Sequence, residues 1–131
     1  MKKIAYLAMI AVSAAVIAWT LTARAGYPMI SGLRNCVLSP GQSTGTIVFQ
    51  VSDDETGPDG LRLSYSSNND NLVPEDDQHI SIGGSGASRT VVVTPVPGIT
   101  GVATIFITVT DGDGNTNQDS FDVEVVQAPN V

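Results

Sequence analysis

Residues 101–125 constrain the fold more than any other part of the chain, because two alternating apolar runs flank a short stretch of Asp, Gly and Asn. Such alternation places every second side chain on one face of a β-strand. Asp-Gly and Gly-Asn pairs tolerate the positive φ angles of a tight hairpin turn. The segment therefore predicts the closing hairpin of an antiparallel β-sandwich. The residues expected to face its core are Ala103, Ile105, Ile107, Val109, Phe121, Val123 and Val125.

Shorter apolar runs recur before this hairpin, at the spacing expected of a sandwich. Gly and Pro separate them, and no apolar helical period of useful length follows residue 26. The predicted strands cover residues 29–31 with 36–38 (one edge strand split at Gly32), 47–51, 61–65, 80–82 and 90–94. We expect a turn at residues 83–86 and an apolar plug at Leu72, Val73 and Pro74. The sequence predicts an all-β, antiparallel Greek-key sandwich of about seven strands.

The N-terminus has the layout of a secretory signal peptide. Lys2 and Lys3 precede an apolar stretch at residues 4–21, and the segment closes on small residues at Ala23 and Ala25. We therefore expect residues 1–25 to be a signal peptide and residues 26–131 to form one domain that is secreted or held in the cell envelope. The alternative is an uncleaved membrane anchor, because the apolar stretch approaches the length that spans a bilayer.

Charge and cysteine content narrow the choice of partners. Removal of residues 1–25 leaves three arginines against thirteen acidic residues, a formal charge of −10. Such a surface repels phosphate backbones and anionic lipid heads, so we expect no nucleic-acid partner and no membrane insertion after cleavage. Cys36 is the only cysteine, which excludes an intrachain disulfide. Its position in a strand-like run favours burial over an intermolecular link.

Several short segments carry a family resemblance that extends over nearly all of residues 26–131. The most distinctive pieces are Asp54-Glu55-Thr56, Ser67-Asn68 through Leu72-Val73-Pro74, Gly84-Ser85-Gly86 with Arg89-Thr90, and Val109-Thr110-Asp111-Gly112. In this order they resemble the immunoglobulin-like, cadherin-like repeats found in tandem in large bacterial cell-surface and secreted proteins. The resemblance implies a β-sandwich used as a structural or adhesion module, and it implies no reaction. Such repeats usually occur in many copies, whereas this chain holds one.

The two ends of the predicted domain suggest how it could associate. Tyr27 and Pro28 open it, and residues 127–131 resemble the junction at which one repeat passes to the next. A proline at such a junction stiffens the linker. We expect either a protein or cell-surface partner, or head-to-tail self-association through the chain ends, which builds an open filament when the contact does not close. A truncated gene, a remnant of a longer array and a tail without a role are the alternatives.

A calcium site is a second hypothesis. Asp111, Asp113 and Asn115 present oxygen atoms at alternate positions, as the start of a calcium loop does. In a sandwich the loop that holds Asp54 and Glu55 falls at the same end, so these five residues could share one site. No Glu closes an EF-hand loop and no helices flank it, so that motif fails. The alternatives are a simple hairpin turn and a solvated acidic rim.

Catalytic and sugar-binding roles have little support in the sequence. His79 is the sole histidine, so a multi-histidine metal site is excluded and a Ser-His-Asp triad would depend on this one base. No G-x-S-x-G motif surrounds any serine. Phe106 is the one aromatic residue of the predicted strands expected on an outer face, which is too little for a sugar platform. We expect a non-catalytic structural or adhesion module, then a calcium-dependent binding or assembly unit, and third a carbohydrate-binding module.

Overall fold

The computed structural model describes residues 26–127, which form eight strands and one short 3-10 turn. The strands are β1 (Met29–Ser31), β2 (Cys36–Leu38), β3 (Ile47–Ser52), β4 (Arg62–Ser67), β5 (Ile80–Ser85), β6 (Ser88–Val93), β7 (Gly101–Thr110) and β8 (Thr116–Val125). The 3-10 turn, Pro58–Gly60, precedes β4. Within residues 26–127 no helix has the length and apolarity to cross a membrane. The predicted signal peptide lies outside the described residues.

The strands form two four-stranded sheets in the order expected of a Greek-key sandwich. One sheet has the order β1-β3-β6-β5 and the other has the order β2-β8-β7-β4. All pairs are antiparallel except β2 with β8, which is parallel. The all-β, Greek-key prediction is confirmed. The count is eight strands instead of about seven, because the two halves of the split edge strand join different sheets.

Gly32 makes the change of sheet possible. Its φ angle is +98°, and a Cβ at this position would lie 3.2 Å from the Cα of Phe49. The chain therefore passes close to β3 before it crosses to the second sheet, and only a glycine fits this approach without strain. Ile30 and Cys36, on either side of the crossing, both pack against the shared core.

The predicted closing hairpin is confirmed. β7 and β8 are ten residues each and pair from Gly101 opposite Val125 to Thr110 opposite Thr116. All seven residues that the sequence placed on the inner face are buried. They meet the inner face of the other sheet, whose buried members include Ile47, Phe49, Val91 and Val93. Each large aliphatic or aromatic side chain that is fully buried stabilises the fold by about 1.5–3 kcal/mol.

The crossover (residues 68–79) carries the chain from β4 in one sheet to β5 in the other. Leu72 and Val73 are fully buried within it, which confirms the predicted apolar plug. The backbone turns at Asn69, whose carbonyl accepts hydrogen bonds from the N–H groups of both residues at 3.2 and 2.8 Å. The crossover is therefore an anchored part of the core and not a loose surface loop.

The predicted turn at residues 83–86 is wrong in its extent. Gly83 and Gly84 belong to β5 and pair with Thr90 and Arg89, so the connection to β6 is only two residues long. Gly84 has a φ angle of +85°, and a Cβ there would lie 2.7 Å from the carbonyl oxygen of Ser88. The glycine therefore kinks a paired strand. Local turn preference was overridden by pairing with β6.

Candidate functional site

The acidic end of the sandwich (the loop at residues 53–61 and the turn at residues 111–115) brings together two segments that are far apart in sequence. Thr56 joins them, because its Oγ1 accepts a hydrogen bond from the N–H of Gly112 at 3.0 Å. The prediction that these connections share one end of the sandwich is confirmed. Asp54, Glu55 and Asp113 are exposed there. The acidic end therefore carries exposed carboxylates around the hydrogen bond between Thr56 and Gly112.

Asp111 is buried, and its carboxylate accepts hydrogen bonds from residues of its own turn. It is only 1% exposed. Its Oδ1 accepts the N–H groups of Asp113 and Asn115 at 2.8 and 2.9 Å, and its Oδ2 accepts the Asn115 side-chain amide at 3.1 Å. Burial raises the pKa of Asp111, but the hydrogen bonds from Asn115 and Asp113 lower it by more. The pKa therefore lies below its ordinary value of 3.8. Asp111 therefore holds the turn as an ionised carboxylate.

The carboxylates of the facing loop have separate surroundings. Asp53 Oδ2 accepts the N–H groups of Glu55 and Thr56 at 3.1 and 2.7 Å, which shapes the loop locally. Its Oδ1 is buried and has no hydrogen-bond partner in the described part of the chain. Asp54 lies against Gly26, the first described residue, where an added Cβ would stand 3.1 Å from its Oδ2. The two adjacent carboxylates thus serve different contacts.

These positions bear on the five residues predicted to hold calcium. Asp111 and Asn115 are bonded to each other, while Asp54, Glu55 and Asp113 are exposed. Within residues 26–127 no group of three or more His, Cys, Asp and Glu side chains is placed to hold a metal ion. Oxygen ligands for calcium would have to come from the exposed three together with backbone carbonyls or water. The calcium site stays a prediction.

An arginine bridge that sequence reasoning missed connects the two sheets at this end. Arg89, on β6, donates from Nε to Gly86 O at 2.7 Å and from one terminal nitrogen to Pro58 O and Leu61 O at 2.7 and 3.3 Å. Asp59 completes the bridge by accepting the Gly86 N–H at 2.8 Å. The one signal in the sequence is that an arginine and an aspartate each stand near glycine-containing turns. The groups that they bind are 27–31 residues away along the chain, so the bridge itself could not be predicted.

A second polar cluster lies along the crossover, next to β4. Tyr65 donates its hydroxyl to Asp77 Oδ1 at 2.8 Å, and Glu75 Oε1 accepts the N–H of Ser67 at 2.9 Å. The hydrogen bond to Asp77 raises the pKa of Tyr65 above its ordinary 10.0. His79 Nδ1 lies 2.7 Å from Asp76 Oδ1, and this contact lowers the pKa of Asp76 below 3.8. His79 is a partly buried loop residue that is held by its contact with Asp76.

Two single residues that the sequence singled out are neither fully buried nor fully exposed. Cys36 is half-buried on the edge strand β2 and packs against the core. Phe106 is half-buried on the outer face of its sheet, opposite Ser66 on one side and Ser120 on the other. The small neighbours leave the ring partly covered and without a second aromatic side chain beside it in these two strands.

The comparisons with known proteins agree with this architecture. The family model described as "Bacterial Ig domain" matches residues 16–124. The chain belongs to the bacterial Ig domain family. The predicted resemblance to bacterial immunoglobulin-like repeats is thereby confirmed, together with the sandwich fold. Membership of this family indicates an Ig-like structural or interaction module.

One solved structure of low sequence identity shares the fold. The titin M3 domain matches with a TM-score of 0.55 and 17% identity, covering 77% of this chain and 98% of that one. The first Ig domain of RIG-5, solved as a homodimer, matches with a TM-score of 0.49 and 11% identity, covering 77% and 99%. The Ig1 domain of mouse SynCAM 2 matches with a TM-score of 0.43 and 14% identity, covering 79% and 98%. No curated protein matches this bacterial Ig domain.

Proposed function

We propose that this bacterial Ig domain is a non-catalytic structural module of the cell envelope or the secreted space that joins end to end with another domain or another copy. The observation that carries the proposal is where the described domain, residues 26–127, begins and ends in the sandwich. The first strand begins at the acidic end of the sandwich, and the last strand finishes at the opposite end. A module that is entered at one end and left at the other can extend into a linear array.

The register of the outer strands defines this geometry. Met29 lies opposite Ser52, the last residue of β3, and Gly26 lies against Asp54 in the loop that follows. Val125 lies opposite Gly101, the first residue of β7. Ten residues of extended chain span about 33 Å, so the two ends are separated by nearly the length of the domain.

Exposed apolar side chains occur at both ends. Tyr27 and Met29 are 66% and 60% exposed at the N-terminal end. At the other end, Val37 and Val102 flank Glu124 on neighbouring strands, and Val126 follows directly after β8. These three valines (the C-terminal patch) are all exposed. Apolar side chains of this kind suit a contact between consecutive modules, because burying them on contact releases water from apolar surface.

Charge and family membership support an extracellular, binding-type role. The formal charge of −10 that remains after residue 25 keeps the domain soluble and away from anionic partners. The carboxylates of Asp111 and Asp53 accept hydrogen bonds from their own turns, and the sole histidine, His79, lies within hydrogen-bond distance of Asp76. These side chains thus have structural contacts, in keeping with a non-catalytic module. Adhesion to a protein on another surface would use the same ends with a different partner.

Sedimentation velocity tests the end-to-end contact. Residues 26–127 contain both sheets and a complete core, so the chain from Gly26 to Val131 is the unit to measure. We expect larger species to grow with protein concentration, and Val126→Asp to reduce them. Val48→Asp is the matched control, since Val48 is also an exposed valine but lies on the outer face of the other sheet. A monomer at all concentrations, or equal effects of both substitutions, would contradict end-to-end self-association. Calcium and chelator arms of the same experiment test the calcium-dependent alternative.

A further inference from the structure

The four sheet edges of this domain differ in how well they are protected. Edge strands offer unpaired N–H and C=O groups to other chains unless they are short, kinked or charged. β1 and β2 have three residues each, and β5 is kinked by the positive φ angle of Gly84. β4 (Arg62–Ser67) has six residues and contains neither Gly nor Pro. It is therefore the longest edge strand of the described sandwich without a kink. β8 is also uncovered by β2 over residues 116–122, but its N–H groups at Gln118, Ser120 and Asp122 are bound by the side chains of Asn117, Asp119 and Asn35.

The backbone of β4 presents two residues at this open edge. Asn68 donates its N–H to Thr104 O at 3.1 Å, so the antiparallel alternation also turns Ser66, Ser64 and Arg62 toward β7. Leu63, Tyr65 and Ser67 then point their N–H and C=O groups away from β7. Glu75 already accepts the N–H of Ser67. Leu63 and Tyr65 are left to pair with another strand.

We propose that β4 pairs antiparallel with β4 of a second copy, with Ser64 at the centre of the contact. In this register Leu63 of each copy lies opposite Tyr65 of the other. Each of these two residue pairs exchanges two backbone hydrogen bonds, which makes four in all. Ser64 meets Ser64 of the second copy in the close, non-hydrogen-bonded position, where a small side chain fits. The two sheets that contain β4 join into one sheet of eight strands.

Charge complementarity favours this partner over others. The same register places Arg62 opposite Ser66 of the second copy, next to the Ser67 N–H that Glu75 holds at 2.9 Å. Arg62 is exposed and its side chain is long, so its guanidinium can pair with that Glu75 carboxylate. The two-fold symmetry repeats the pair at the other end of the contact.

This contact is lateral and goes beyond the proposed end-to-end function. It uses the edge of one sheet and leaves the C-terminal patch uncovered. Four backbone hydrogen bonds and two exposed ion pairs make a small interface, so the expected association is weak and reversible. Its place in an array would be to hold neighbouring strings of modules side by side.

A charge-swap experiment tests the proposal on the chain from Gly26 to Val131. The dimer dissociation constant is measured by sedimentation equilibrium, up to about 1 mM for so small an interface. We expect Arg62→Glu and Glu75→Arg each to weaken the dimer by about tenfold, because each replaces two ion pairs with two like-charge contacts. Mixing the two single variants, or combining both changes in one chain, should restore association. Arg34→Glu is the matched control, because it makes the same charge change at an exposed arginine outside β4.

Amide exchange locates the contact independently. The N–H groups of Leu63 and Tyr65 should gain protection as the concentration rises, while Val126→Asp leaves that protection unchanged. A wild-type monomer at about 1 mM, equal weakening by Arg34→Glu and Arg62→Glu, or failure of the mixed variants to associate would overturn lateral pairing. Association that survives Arg62→Glu but is lost with Val126→Asp would also overturn it and would support the end-to-end contact.

Discussion

The Asp111 turn (residues 111–115) and the crossover (residues 68–79) are both acidic connections, but they are stabilised in opposite ways. Asp111 is buried, and its two carboxylate oxygens bind groups of its own turn. The crossover is held by two apolar residues, Leu72 and Val73, while its carboxylates face solvent and the edge of β4. The same residue type thus shapes the backbone in one connection and forms the surface in the other. Acidic content alone does not identify a metal site.

Removing the apolar anchor should have the largest effect. We expect Leu72→Ala to lower the free energy of unfolding by about 3 kcal/mol, because it removes buried methyl groups and leaves a cavity between the sheets. Urea denaturation measures the change. Val37→Ala is the control, because Val37 is 67% exposed and its truncation should cost less than about 0.5 kcal/mol. Equal losses from both substitutions would show that the crossover is not anchored in the core.

Removing the polar anchor should have the next largest effect. Asp111→Ala leaves the N–H groups of Asp113 and Asn115 without their acceptor, and we expect the melting temperature to fall by roughly 5–10 °C. Differential scanning calorimetry checks this, with Asp113→Ala as the control on the exposed neighbour. Comparable melting temperatures for Asp111→Ala and the wild type would mean that the turn does not need its carboxylate.

The same carboxylate gives the comparison a pH dependence. The folded pKa of Asp111 lies below the ordinary 3.8, so its stabilising effect is present above that value and is lost as the pH falls through the folded pKa. The pKa of Asp76 is also lowered, so its protonation adds to the same loss of stability at low pH. We expect Asp111→Asn to flatten the loss of stability below pH 3.8. An unchanged loss of stability at low pH in this variant would assign it to other carboxylates.

The exposed acids of the crossover should matter less. Tyr65→Phe removes the hydrogen bond to Asp77, and we expect the melting temperature at neutral pH to change by only about 1–3 °C. The raised pKa of Tyr65 means that this contribution is complete below pH 10.0 and is lost as the pH rises through the folded pKa. Thermal melts across that range should show a weaker alkaline decline in Tyr65→Phe. A fall as large as that of Asp111→Ala would erase the contrast between the two connections.

Calcium should produce the smallest change. Asp111 and Asn115 are committed to the turn, so calcium would depend on exposed ligands at Asp54, Glu55 and Asp113. We expect about 10 mM calcium to raise the melting temperature by less than about 1 °C, relative to chelator and to magnesium. The double variant Asp54→Asn with Asp113→Asn should abolish any rise. A large rise that requires Asp111 would show that the turn opens to bind metal.

The fold was predictable because its signals are local and repeated. Alternation in residues 101–125 assigned every buried position of β7 and β8, and Leu72 with Val73 stood out as an apolar pair in a polar stretch. The extent of β5 was not predictable, because Gly84 satisfies a turn preference locally but is held in a ladder by β6. The Arg89 bridge was missed for a related reason. Its acceptors are backbone carbonyls of Pro58 and Leu61, which leave no mark in the sequence.

The sequence by itself determined that this chain is an acidic, all-β domain with a closing hairpin, because apolar alternation and glycine-containing turns act over a few residues at a time. Only the tertiary structure decided which carboxylates are buried and hydrogen-bonded within the fold and which remain exposed. It also decided that the split edge strand divides between two sheets and that β4 is the longest edge strand without a kink. These outcomes depend on contacts between segments tens of residues apart, and the geometry of those contacts is set by how the two sheets pack.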